Sequence, residues 1–467
     1  MADNLKPDLC IIGAGALGIS LAISARARGM SVVLVNRGPE PGDAEQGALA
    51  AAAFRASATT AETIRTAGKF GLDNAAPKPN FRAISEHAAA LAATVAPRDA
   101  EERLLALGVT CLAGEALFAD GKTLKLGDTV IKARHFIVAA GAPLLLPAIP
   151  GLDQVSFFTP DTILDNLRKL SHLVVIGGDA TALELAQSYR RLGSTVTLVP
   201  QGEILPGFDR ELVGQLLRRL AEEGVAVLEG ASVSEIVPRS QGTGVKLKRA
   251  DGSEDALDVS HILVSMGRQP ELDAPWLAGA KLRRDKANPD RLELRPGGQT
   301  SQKAISVLGG IAGDTAPHLA EIEGERLLDR LLGSAKGQAP LPRLVTTDPP
   351  LAEIGLLENG KPLAAGQVVL RSSLAENEAA RALMQARGTA KLVVDAHGKI
   401  IGGALLGPGA GDMIAILAMA MLTGLSAPEL AHLPLPASSL GAVLPDLGRQ
   451  FIAQRPVAKG PLRKLLG

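Results

Sequence analysis

Aromatic side chains are nearly missing from this 467-residue chain: Phe, Trp and Tyr together make up 2%, with a single Trp and a single Tyr. A surface that stacks nucleobases needs such rings beside a basic groove. The groove is missing as well, because 49 Lys+Arg are balanced by 49 Asp+Glu. Nucleic acid is therefore not an expected partner. Cysteine is as scarce. Cys10 and Cys111 are the two present, too far apart for a metal or redox motif, and each reads as apolar filler in a strand. No metal site is expected. Long hydrophobic runs are lacking too: the longest, MIAILAMAML from Met413 to Leu422, falls short of the ~20 residues a membrane span needs. It reads as a buried helix. The opening MADNLKPD runs straight into an apolar strand without the pattern of a signal peptide. A cytoplasmic protein is expected, with a small molecule or another protein as partner and no membrane attachment.

What is present is apolar and small. Hydrophobic residues make up 46% and there are 51 glycines, in a chain long enough for about three domains of ~150 residues. Residues 8–36 read DLCIIGAGALGISLAISARARGMSVVLVN: an apolar strand, Gly13-x-Gly15-x-x-Gly18, an Ala-rich helix and a second strand. In that setting the first glycine permits a tight turn, the second lets backbone approach a pyrophosphate, and the third lets helix pack on strand. The pyrophosphate then meets the unpaired N–H groups of the helix N-terminus.

The layout returns in residues 172–199, HLVVIGGDATALELAQSYRRLGSTVTLV. Two such units imply two dinucleotides, or one dinucleotide and a vestige. In the second, Gly177 and Gly178 open the turn, but Asp179 stands in the place of Gly15 and Ala182 in that of Gly18. A carboxylate there weakens dinucleotide binding unless it turns away or caps the helix, for which Asp is well suited.

Further landmarks follow in order: HFIVAAGAPLLLPAIPGL with Ala140 and Gly141, LELAQ with Glu184, ILVSMGRQPEL with Gly267, GIAGDTAPHLAEIEGERL with Gly313, Asp314 and His318, and LVTTDPPLAEIGL. Taken together this order resembles the flavin-dependent pyridine nucleotide–disulfide reductases, such as dihydrolipoamide dehydrogenase, mercuric reductase and glutathione reductase. The resemblance implies an α/β protein with two Rossmann-like domains and an α+β dimerisation domain. The implied boundaries are 1–152 and 272–338 for a split FAD domain, 153–271 for an inserted NAD(P)-binding-like domain, and 339–467 for dimerisation.

It also implies cofactors and their residues. FAD would lie on Gly13, Gly15 and Gly18, with Ala140 and Gly141 nearby. Asp314, after Gly313, would accept a bond from the ribityl chain, and the helix opening at Pro317 and His318 would point at the flavin. NAD(P)H is possible at Gly177, Gly178 and Gly267, with Glu184 at the nicotinamide amide. Asn36 stands where an acidic residue usually holds the adenosine ribose. It can still bond a ribose, or with Arg37 could cradle a 2′-phosphate. That last reading predicts a colourless NADP dehydrogenase.

The family's redox chemistry is what this sequence leaves out. A Cys-x4-Cys pair belongs in the stretch GALAAAAFRASA, where Gly47 and Ala52 stand instead. The His–Glu pair belongs in LPLPASSLGAVL, where Leu435 and Leu440 stand, with His432 displaced from the motif. Thiolate, general acid–base and orienting group act as one machine, and all are replaced by apolar residues. The chain also ends in RKLLG, without the terminal cysteines of mercury reduction.

No catalytic residue is therefore assigned. Glu86–His87 reads as a solvated helical pair. The basic tail with Arg449, Arg455, Lys459, Arg463 and Lys464 reads as a solvated end or as a docking segment. The expected function is a homodimeric FAD oxidoreductase passing electrons to a non-disulfide acceptor, a small molecule or a protein. A silent flavin-binding structural or regulatory subunit is the alternative.

Overall fold

A computed structural model describes residues 4–37, 43–95, 101–313, 316–334, 340–358, 363–436 and 438–454. The chain forms two compact units, one of residues 1–202 with 228–336 and one of residues 203–227 with 337–467.

The first unit contains both strand–turn–helix–strand repeats. Strand β1 (Leu9–Ile12) leads through Gly13 into α1 (Ala16–Ala27) and returns as β2 (Val32–Asn36). Thr110–Ala113 (β3) and His135–Val138 (β4) join them, and Ile305–Val307 (β8) is added much later in the chain. All pairings are parallel, in the order β8-β4-β1-β2-β3. Strands covered on both faces read as near-continuous apolar runs, and β1 and β4 are buried at every residue, with His135 of β4 hydrogen-bonded to the Ser306 hydroxyl. Cys10 lies in β1 and Cys111 in β3. Burial pushes both thiols up from their ordinary range, Cys111 with help from Glu101, so neither is a poised nucleophile.

The second repeat runs from β5 (His172–Ile176) through α4 (Ala180–Arg191) to β6 (Thr195–Val199). Strand β7 (His261–Val264) lies on the other side of β5, also parallel. The stretch GALAAAAFRASA is part of α2 (Asp43–Arg65), whose Ala and Leu content favours helix. Ala53, Phe54, Ala58 and Ala61 are buried, whereas Gly47, Ala48, Ala52 and Ala56 are exposed. On the buried side Phe54 and Phe81, the latter from α3 (Phe81–Ala93), meet Tyr189 of α4 at ring distances of 5.2 and 6.0 Å. The Tyr189 hydroxyl donates to the Ile163 carbonyl. Glu86 and His87 are exposed on α3.

In the second unit, α5 (Arg210–Glu222) joins an antiparallel five-stranded sheet. Its strands are β9 (Arg343–Val345), β10 (Leu351–Gly355), β11 (Val368–Ser373), β12 (Thr389–Val394) and β13 (Ile400–Leu406), in the order β9-β10-β13-β12-β11. In sequence α5 lies within 153–271, yet it packs with the C-terminal segment. A buried cluster accounts for this. Asp209 caps α5 by accepting from the Glu211 and Leu212 amides, and both its oxygens lie 2.9 Å from Lys391 Nζ on β12. Glu353 of β10 accepts from the Asp209 amide at 2.7 Å and from Arg343 at 3.0 Å.

The apolar run expected as a buried helix is α7 (Ala410–Thr423). That expectation is corrected on one side. Met413, Ile414, Leu417 and Ala420 pack into the core with α8 (Val443–Ala453), but Met419 is 57% exposed and Leu422 49%. A helix apolar all round has two faces to cover, and here the sheet covers one.

Candidate functional site

The two dinucleotide turns are built alike and finished differently. After β1, Gly13 takes φ +113°, and a Cβ on it would stand 2.3 Å from the Ala139 carbonyl oxygen. A Cβ on Gly18 would stand 1.8 Å from the Gly13 oxygen. These two glycines are dictated by close backbone packing. Gly15 has a different reason: a Cβ there would meet nothing within 4 Å. It is the N-cap of α1 and no side chain caps that terminus, which leaves a bare backbone cradle for an anion.

The downstream motifs converge on the same place. Ala139–Gly141 follows β4, with Gly141 at φ +72°. A Cβ on Gly310 would stand 2.8 Å from the Ala142 amide nitrogen, so the Gly309–Ala312 turn rests on the Ala140–Gly141 turn. Gly313 takes φ +106°, and Asp314 lies outside the described residues. Helix α6 (Pro317–Leu331) begins beyond it, its N-cap Ala316 making no side-chain bond. His318 is exposed on its first turn. Ser20 of α1 donates to Glu321 of α6 at 2.6 Å, tying the two helices together. Asn36 ends β2, half-buried. Arg37 lies over the ring of Trp276 at 4.6 Å, and both border a cleft of about 50 Å³ shared with Ala140, Gly141 and Glu271. Arg37 was not foreseen in that role, because nothing in the sequence links it to a tryptophan so far along the chain.

In the second turn Gly177 takes φ +138°, and its Cβ would stand 1.6 Å from the Ser265 carbonyl oxygen. Buried Gly178 precedes Asp179. Asp179 caps α4: its carboxylate accepts from the Ala182 amide at 2.7 Å and from the Ser265 hydroxyl at 2.9 Å. The Gly267 amide adds a third donor. Burial pushes this carboxyl up from its ordinary range, and the donors pull it back.

Glu184 projects from α4 toward α2, where Arg55 Nη1 stands 3.5 Å from its carboxylate. Arg55 was missed in the sequence. The available signal was a lone cation in an alanine run, three positions beyond Ala52. Neither Cys10 nor Cys111 lies on α2, so the exposed face with Gly47 and Ala52 carries no thiol. In the C-terminal unit Leu435 and Leu440 are half-buried and His432 is exposed. That unit also holds the larger groove, about 530 Å³, lined by Ile416, Met419, Leu425, Leu433 and neighbours. Among the described residues no cluster of His, Cys, Asp and Glu could hold a metal ion.

The sequence matches the family described as pyridine nucleotide-disulphide oxidoreductase over residues 7–325. The chain belongs to that family. Residues 341–441 match the family's dimerisation domain. A dihydrolipoyl dehydrogenase of Geobacillus stearothermophilus is 29% identical, covering 91% of this chain and 92% of that protein. A mercuric reductase of Streptomyces lividans is 28% identical with the same coverage of each. Among solved structures, LpdA from Mycobacterium tuberculosis has a TM-score of 0.81 at 22% identity, covering 96% of this chain and 99% of its own. The HOCl-induced flavoprotein disulfide reductase RclA from Escherichia coli has a TM-score of 0.78 at 21% identity, covering 95% and 99%.

Members of the family are flavoprotein oxidoreductases that use FAD, with NAD(P)H as electron donor. The bare, uncapped cradle at Gly15 fits FAD. Among the described residues no helix is long and apolar enough to cross a membrane.

Proposed function

We propose that this member of the family is an FAD-dependent oxidoreductase that works without thiol–disulfide chemistry, passing electrons from the flavin to a non-disulfide acceptor. A quinone, another small oxidant or a partner protein would serve. The observation that carries the reading is the contrast between Gly15 and α2. A Cβ on Gly15 would meet nothing within 4 Å, while α2, where the family resemblance would put the redox cysteines near Gly47 and Ala52, carries neither Cys10 nor Cys111. FAD, when bound, supplies the two-electron chemistry.

The chain's own groups do the rest. Gly13 and Gly18 hold the turn, Gly15 and the N-terminus of α1 would hold the diphosphate, and the uncapped start of α6 would favour negative charge on the bound flavin. Glu184, paired with Arg55, would meet a nicotinamide amide. The exposed, methyl-bearing face of α2 around Ala52 suits an uncharged acceptor. The dimerisation-domain match supports a homodimer.

An anaerobic titration of purified protein with NADH and with NADPH, followed by flavin absorbance, tests this. Bleaching of the bound flavin is expected, with reoxidation by a quinone. A flavin band that neither nucleotide bleaches would leave the other reading, a silent flavin-binding structural or regulatory subunit, which Asp179 favours. A preparation without flavin would revive the NADP reading of Asn36–Arg37, against which stands the stacking of Arg37 on Trp276.

A further inference from the structure

We infer that Asp179 and Ser265 together close the second dinucleotide crevice to a diphosphate, and so set a low affinity for the nicotinamide nucleotide. The inference rests on the oxidoreductase reading above. In open parallel sheets the ligand lies beyond the carboxyl ends of the strands, where the chain order reverses. In the first fold that point lies between β1, which continues to β2 on one side, and β4 on the other. In the second it lies between β5, flanked by β6, and β7.

The chain thus provides its own control. Gly13 touches the Ala139 carbonyl and Gly177 touches that of Ser265, so Ala139 and Ser265 correspond, as do Gly141 at φ +72° and Gly267 at φ +83°. In the first crevice the corresponding side chains are a methyl at Ala139 and none at Gly15. In the second a carboxylate at Asp179 reaches across to a hydroxyl at Ser265, 2.9 Å away. It also takes the Ala182 and Gly267 amides. The donors an entering diphosphate would use are already turned onto an internal anion. That diphosphate must displace them and sit beside a like charge, with Glu184 as a second carboxylate on the same helix. Arg55 offsets Glu184 at 3.5 Å and stands on α2. Capping therefore does not vacate the anion position; it fills it.

The test is calorimetric binding of ADP-ribose, which carries the diphosphate but no nicotinamide, to the flavin-loaded protein and to Asp179→Asn. Asn caps a helix as well as Asp does, so thermal stability is expected to hold while the charge is lost. Asp179→Asn is expected to bind ADP-ribose at least about tenfold more tightly, which is about 1.4 kcal/mol. Asp179→Gly combined with Ser265→Ala is expected to gain at least as much. Equal affinity in wild type and both variants overturns the inference, as does tighter binding by wild type. Asp179→Ser, a neutral cap, serves if the Asn protein is unstable.

The oxidoreductase reading fails separately. If Asp179→Asn gains affinity for ADP-ribose but NADH and NADPH leave the flavin oxidised in both proteins, the crevice is explained and the electron transfer is not.

Discussion

At the scale of single residues, the first dinucleotide turn separates two demands that a glycine motif usually merges. Gly18 is required by protein packing, since its Cβ would lie 1.8 Å from a backbone oxygen. Gly15 faces open space. Gly18→Ala is therefore expected to cost at least about 2 kcal/mol of stability, read as a lowered midpoint in thermal unfolding. Gly15→Ala is expected to leave that midpoint of the apoprotein nearly unchanged and to weaken FAD retention, read as flavin absorbance per protein after dialysis. If both variants lose stability alike, the cradle is not open as described. Glu353 makes a second claim at this scale. Burial, only partly offset by the Asp209 amide and the Arg343 guanidinium and reinforced by the Asp209 charge, raises its carboxyl from 4.5 to about 7. A carboxyl raised in the folded state contributes stability below pH 4.5 and loses it as pH climbs through 4.5–7. The loss for this group is on the order of 3 kcal/mol. Glu353→Gln is expected to flatten urea-unfolding stability across that window, and an unchanged slope would refute the assignment.

At the scale of elements, α2 is held in place by packing on one face alone. One face is anchored by Phe54 on Tyr189, and the other carries methyl groups into solvent. Ala52→Cys is accordingly expected to fold normally and to react with an aromatic disulfide reagent in native protein, while buried Cys10 stays silent until denaturant is added. A protected thiol at residue 52 would mean that this face is covered. The repeats were legible beforehand because strand, glycine spacing and helix follow one another locally. The Asp179 cap was legible as a possibility, since Asp is a good N-cap, but its reach to Ser265 depends on a strand far along the chain. The Arg55–Glu184 and Arg37–Trp276 pairs are likewise non-local, and no periodicity reports them. The exposed face of α7 is not legible in the sequence for a simpler reason. Composition measures how apolar a helix is and not how many of its faces the sheet can cover.

At the scale of the whole molecule, the uncovered face of α7 and its groove lie in the unit that matches a dimerisation domain. Exposed apolar patches of this kind mark association surfaces. Light scattering is expected to report a dimer. Met419→Lys should shift it toward monomer with little change in monomer stability, because that side chain is largely exposed already. A monomeric wild type would remove the homodimer from the proposal.

The sheet order carries a further consequence, for how the protein is made. Strand β8 pairs with β4 but leaves the ribosome long after it, since the entire second dinucleotide fold is encoded between them. At ordinary rates of translation the open side of β4 waits roughly ten to thirty seconds for its neighbour. An unpaired strand edge is a template for other chains. Nascent chains that stop before Ile305 should therefore aggregate or occupy chaperones more than those that extend past Val307.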